Sequence, residues 1–313
     1  MVAELSNELV ARGHEVTLFG HPASDTRARL VSMPFEEGFI FDSFREHVHA
    51  AESLLHAAEF DVVHNHTVSA VTFDKHLDLP MITTVHGTTG RAMERPVYEY
   101  NKQARYISIS YGQRRVGVQG MNWIENIYNG IDVDYFRPGP ADGSRPYLLH
   151  MGALSRRKGT AEAVQIAQLA GMRLVLAGRP DPMDEEYLDK DVLPWVDGEN
   201  VILANEVEGE ERLALLQGAT ALLAPIQWDE PFGLVLVEAM ACGVPVLACD
   251  RGSAQEVVAD GVTGFVRPTW QELVEAVGRV DRLDRARCRE RVVRHFRKDT
   301  MVDAYEALYA RIA

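Results

Sequence analysis

Cysteine is scarce in this chain: Cys242, Cys249 and Cys288 are the only three in 313 residues. They form no C-x-x-C pair, and an odd number cannot all pair with one another. They read as reduced thiols of a cytoplasmic protein. Basic residues are also in short supply, with 32 Lys and Arg against 46 Asp and Glu, a net charge of −14. General nucleic-acid and anionic-membrane binders rely on clustered cations, so this balance argues against both. The acidity is spread along the chain, 12 basic against 18 acidic up to residue 140 and 20 against 28 beyond it, so no acidic tail explains it. No apolar run approaches the roughly 20 residues of a membrane-spanning helix. The opening Met1-Val2-Ala3-Glu4-Leu5 lacks the basic and then apolar regions of a secretory signal.

What the chain has is a 46% apolar composition, enough to bury a core in each of two domains. Short apolar runs near 15–19, 29–32, 61–65, 81–85, 106–110 and 124–127 read as strands in the first part. Runs near 147–151, 173–177, 201–204, 221–225, 245–249 and 264–266 do so in the second. Helical patterns such as Thr160 to Ala170, Glu208 to Gln217 and Leu234 to Cys242 fill most gaps. Continuously apolar strands alternating with helices imply parallel sheets covered on both faces, hence an α/β protein of two doubly wound domains.

The stretch from Asn129 to Pro146 is rich in turn formers and marks the boundary. The expected division is 1–140, 141–298 and a C-terminal helix 299–313 that crosses back to the first domain. Residues 2–12 place Val2, Leu5, Leu9 and Val10 on one helical face, where a doubly wound domain normally opens with a strand and a glycine-bearing turn. The expectation is a start shortened relative to a longer functional chain.

The most informative stretch runs from Glu230-Pro231-Phe232-Gly233 through Leu234-Val235-Leu236-Val237-Glu238 to Cys242-Gly243. From Leu234 to Cys242 only Glu238 is not apolar, so the helix is buried and its carboxylate needs a partner. That partner is either a cation in an ion pair or a polar ligand near the helix start. Gly233 just before the helix leaves backbone N–H groups for an anion such as phosphate, and Glu230 lies across a tight turn from them.

A second feature is Met151-Gly152-Ala153-Leu154-Ser155-Arg156-Arg157-Lys158-Gly159. Three cations at a helix start oppose the macrodipole, a conflict that an anionic ligand would remove. The strand Ile82-Thr83-Thr84-Val85 ends in His86-Gly87, and the carboxyl end of a parallel strand is where ligands are met. His64-Asn65-His66 could suggest metal ligands, but alternate residues of a strand are separated and no third ligand is near in sequence, so no metal site is expected. Asp132-Val133-Asp134 and Asp189-Lys190-Asp191 are read as chance D-x-D matches, and Trp228 and Trp270 stay open between pocket and core.

On these residues the chain resembles the GT-B-fold retaining glycosyltransferases of family 4. The E-x7-E pattern matches Glu230 and Glu238, with Gly243-Val244-Pro245-Val246 and Gly261-Val262-Thr263-Gly264-Phe265 following. The resemblance spans nearly the whole chain. It implies two Rossmann-like domains facing a central cleft, the first strand of the N-terminal one being absent here. It implies transfer of a hexose from a nucleotide-diphosphate sugar, taken as UDP-linked, to a small-molecule, glycan or lipid-linked acceptor, with retention and without a required cofactor or metal. Glu238 would bind the ribose, Glu230 and His86 would stand at the donor sugar, and Phe232, Gly233, Leu234 and Val235 would form the diphosphate loop. Val207 would lie near the base and Lys158 at the phosphates. Ala153 replaces the family's usual arginine, for which Arg156 is the candidate substitute. The alternatives are a GT-B nucleotide-sugar epimerase and a catalytically weak nucleotide-sugar-binding protein.

Overall fold

The computed structural model describes residues 1–32, 43–139 and 145–313. The chain divides into two compact units, Met1–Gly130 with Lys298–Ala313, and Ile131–Arg297.

In the second unit β7 (Tyr147–Met151), β8 (Arg173–Ala177), β9 (Val201–Asn205), β10 (Ala221–Ala224), β11 (Val246–Cys249) and β12 (Gly264–Arg267) form one sheet. All its pairings are parallel and its order is β12-β11-β10-β7-β8-β9. Every residue of β10 and β11 is buried, which is why these strands read as unbroken apolar runs rather than alternating ones. The strand order reverses between β7 and β10, and in doubly wound sheets the crevice at that reversal receives ligands.

In the first unit β3 (Val63–Asn65), β4 (Met81–Val85), β5 (Arg105–Ser108) and β6 (Trp123–Asn126) pair in sequence order, all parallel. β1 (Thr17–Phe19) and β2 (Arg29–Val31) form a separate parallel pair. The opening helix Val2–Ala11 buries Leu5 and Leu9. They pack with Ile82, Ile107 and Ile127 and with Met301, Val302, Tyr305 and Leu308 of the last helix, Lys298–Ile312. Charges at the rim reinforce this union: Arg12 pairs with Asp303 and Glu306, and Lys298 lies 2.9 Å from Glu8. The C-terminal helix therefore folds with the first unit, and its preceding partner Arg285–His295 with the second.

The divisions at 140/141 and 298/299 need correction. Residues 131–139 fold with the second unit because their backbone is engaged there: Ile131 N–H donates to the Phe296 carbonyl at 2.9 Å, and Arg289 donates to the carbonyls of Val133 and Phe136. Lys298 belongs with the first unit. Pro140 and the start of the 141–146 linker lie outside the described residues. Asp132 spends a carboxylate oxygen on the N–H groups of Asp134 and Tyr135, a turn-forming role.

Candidate functional site

The loops after β7 and β10 meet at the reversal of strand order. After β7 the chain turns through Gly152 to Gly159, which adopts φ +75° and precedes the helix Thr160–Ala170. A Cβ at Gly159 would stand 2.0 Å from the Pro225 carbonyl oxygen, so the close approach of the two loops requires glycine there. Across this junction Lys158 pairs with Glu230 Oε2. The indole N–H of Trp228 donates to the same oxygen at 2.9 Å. Both charged side chains are largely buried, 23% and 11% exposed.

The segment Glu230–Gly233 is fixed from the loop after β11. Ser253, fully buried, donates its N–H to the Glu230 carbonyl at 3.0 Å and its hydroxyl to the Phe232 carbonyl at 2.9 Å. The Phe232 ring packs edge-on against Phe296, centroids 5.8 Å apart. Gly233, at φ +77°, then opens the helix Leu234–Ala241. The first turn of a helix presents N–H groups and the positive end of the dipole. Lys158, Glu230, Gly233 and Val235 line one recess, with His150 and Ala224 among its other walls. His150 is buried against the Leu223 carbonyl and Thr160, and burial lowers its pKa to about 4, so it is neutral at physiological pH.

Glu238, one turn into that helix, is satisfied within the protein by an ion pair with Arg212 of the helix Gly209–Gly218. The guanidinium lies 5.5 Å from the Phe136 ring centre. Val207 is buried just ahead of the helix that carries Arg212. Of the alternatives for the Glu238 carboxylate, the structure thus supplies the cation.

The three cations after β7 each meet a protein carboxylate, so the macrodipole conflict is relieved without a ligand: Arg157 lies 3.3 Å from Asp181, and Lys158 holds Glu230. Arg156 is turned elsewhere. It lies over the Tyr187 ring at 4.4 Å, stands 3.6 Å from Asp191 and lines a different recess, so the structure does not bring it to Lys158 and Gly233.

His86 belongs to the first unit, at the end of β4. Its Nε2 stands 2.9 Å from His66 Nδ1 with the rings stacked. His64 and His66 were expected to be separated, yet their centroids are 4.0 Å apart. Residues two apart in an extended chain share one face, so the alternation of β3 carried on into His66 brings the two rings together instead of separating them. His64 shares hydrogen bonds with Tyr309 and Thr84, and Thr84 with Tyr305, which ties the strand ends to the last helix. Burial lowers the pKa of His64 to about 3 and that of His66 well below 6.5, and nearby histidines add to both shifts. His86 presents surface to solvent, but the protein packed around it lowers its pKa to about 4, with the N-terminal charge adding. Among the described residues no cluster of three His, Cys, Asp or Glu is placed to hold a metal.

Two units built on parallel sheets, the second with a lysine, its paired glutamate and a glycine-opened helix at the switch point, have the architecture of a GT-B glycosyltransferase, a class that uses nucleotide-sugar donors. The family model for glycosyl transferases group 1 matches residues 134–293, and that for glycosyltransferase family 4 matches residues 1–135. The chain belongs to the glycosyl transferases group 1. It is 27% identical to the phosphatidyl-myo-inositol mannosyltransferase of Mycobacterium leprae, over 93% of this chain and 85% of that one. Among solved structures it resembles a glycosyltransferase involved in avilamycin A biosynthesis, 28% identical with a TM-score of 0.73, over 99% of this chain and 88% of the other. Sucrose-phosphate synthase of Thermosynechococcus elongatus shares the fold at 22% identity, with a TM-score of 0.79, over 99% and 92% of the two chains. Among the described residues no helix is long and apolar enough to cross a membrane.

Sequence reasoning missed Arg212, Ser253 and the role of Trp228. A buried carboxylate in an apolar helix announces that some cation exists, but not which one. Ser253 acts mainly through backbone carbonyls, which leave no pattern in side-chain identity.

Proposed function

We propose that this chain is a retaining hexosyltransferase whose donor is a UDP-linked sugar. The observation that carries the reading is the convergence of Lys158, Glu230 and the helix start at Gly233 on one recess at the switch point. The diphosphate would lie against that helix start, where N–H groups and dipole favour anions, with Lys158 adding a compact charge. Glu238 would accept from ribose hydroxyls while keeping Arg212, and Val207 would lie near the base. Glu230 would face the sugar, with His86 as a second sugar contact. When the bond from the anomeric carbon to the diphosphate breaks, charge develops on the leaving oxygen. The Lys158 ammonium and the helix N–H groups would stabilise it there, and the proposed mechanism calls on no metal.

The acceptor is open to small molecules, glycans and lipid-linked compounds. The relative that acts on phosphatidyl-myo-inositol makes a lipid-linked polyol the first acceptor to try. Thermal-shift titration with UDP-, GDP- and ADP-sugars tests the donor, since a bound donor raises apparent stability by mass action. The reading predicts the largest rise with a UDP-sugar; a larger one with GDP or ADP would reassign the base.

A further inference from the structure

We propose that Trp228 is the positioning residue that keeps Glu230 aimed once the donor has drawn Lys158 away. In this structure two donors, the Lys158 ammonium and the Trp228 indole N–H, converge on the single oxygen Oε2 of Glu230. Neither uses Oε1, which is the oxygen left for a sugar hydroxyl. A diphosphate carries more negative charge than one carboxylate and competes for the lysine, whose flexible stem lets its ammonium move. The indole cannot follow. Its ring is held by a cation that does not take part in the exchange, the Arg157 guanidinium 5.3 Å from its centre, which is paired with Asp181. The backbone next to it is anchored by the Gln227 N–H donating to the Arg157 carbonyl at 2.9 Å, and Ser253 holds the Glu230 carbonyl. Lys158 thus exchanges partners during the donor cycle, while Trp228 stays with the carboxylate. A lone buried glutamate would otherwise be left without a donor at the step where its direction matters. The inference rests on the reading above that Glu230 faces the donor sugar.

Trp228→Phe keeps an aromatic ring and removes only the N–H. The expected result is nucleoside-diphosphate affinity within about twofold of wild type by calorimetry, with kcat for transfer lowered about tenfold and KM nearly unchanged. Trp228→His, which restores a ring N–H, should recover part of kcat. Unchanged kcat in Trp228→Phe, or a loss of nucleotide affinity that parallels the loss of kcat, would overturn the proposal. A second measurement needs no folded variant. In wild-type protein labelled with 15N-tryptophan, the Trp228 indole proton should stay at its hydrogen-bonded shift when nucleoside diphosphate is added, whereas a move to the solvent-exposed value overturns the proposal. If wild type transfers sugar from no donor, the functional reading fails, and the indole signal still judges whether Trp228 holds Glu230.

Discussion

Replacing Glu238 by alanine tests its observed ion pair and its proposed contact with the ribose together. In the structure it is 10% exposed and paired with Arg212, itself 28% exposed. Removing one partner of a fully buried pair costs about 3–5 kcal/mol because the other charge is stranded. The Arg212 guanidinium retains some water, so the loss here should be smaller, about 1–2 kcal/mol of unfolding free energy. The second duty is the proposed one, to the nucleotide ribose. Hydrogen bonds to a charged group contribute about 1.5–3 kcal/mol, so affinity for a nucleoside diphosphate should fall roughly ten- to a hundredfold. Arg212→Met is the companion variant: it breaks the same ion pair but leaves the carboxylate. Urea unfolding and calorimetry are run on both. Glu238→Ala should lose stability and affinity, while Arg212→Met should lose stability and keep more of the affinity. If Glu238→Ala is destabilised yet binds nucleotide as wild type does, the carboxylate exists only to satisfy Arg212 and the ribose assignment is wrong.

Other outcomes follow from the same geometry. Lys158→Ala should weaken binding of a nucleoside diphosphate more than that of the bare nucleoside, since the proposal sets its compact charge against the diphosphate; equal losses by calorimetry would mean it acts only through structure. Acid should destabilise the protein through its depressed histidines. The neutral forms of His64 and His150 are held folded down to about 3 and about 4, against 6.5 unfolded. Their stabilising contribution is therefore complete above pH 6.5 and lost progressively as pH falls towards the folded values, because only the unfolded chain takes up protons in that window. A urea midpoint equal at pH 7 and pH 5 would contradict this. Transfer should also persist in excess EDTA, and its abolition with recovery on adding a divalent ion would refute a metal-free leaving-group site.

Much of the second unit was legible because its strands are buried on both faces. An unbroken run such as Ala221-Leu222-Leu223-Ala224 between helical patterns admits little besides a central parallel strand. All six expected strands of that part are present, as are the six of the first. The boundary was misplaced for a different reason. Residues 131–139 lack periodicity because their order comes from Arg289 donating to backbone carbonyls, and such bonds are indifferent to the side chains they fix. Arg156 stands away from Lys158 and Gly233, and sequence spacing around a turn does not say which way a long side chain leaves it. Here an aromatic face at Tyr187 and a carboxylate at Asp191 draw it off. Trp228 was undecidable in sequence, since an indole beside a glutamate can equally pack in a core.

The most direct test of hexosyl transfer follows wild type and Glu230→Ala by proton NMR with a UDP-hexose and a phosphatidylinositol acceptor. Wild type should release nucleoside diphosphate only as glycosylated acceptor accumulates, with the anomeric proton of the product showing the donor's configuration. Glu230→Ala should bind free nucleotide almost normally by calorimetry yet form little product, because the proposal gives it a contact with the reacting sugar alone. Inverted product would contradict retention. Interconversion of the sugar without an acceptor, or full turnover by Glu230→Ala, would contradict the account of the site itself.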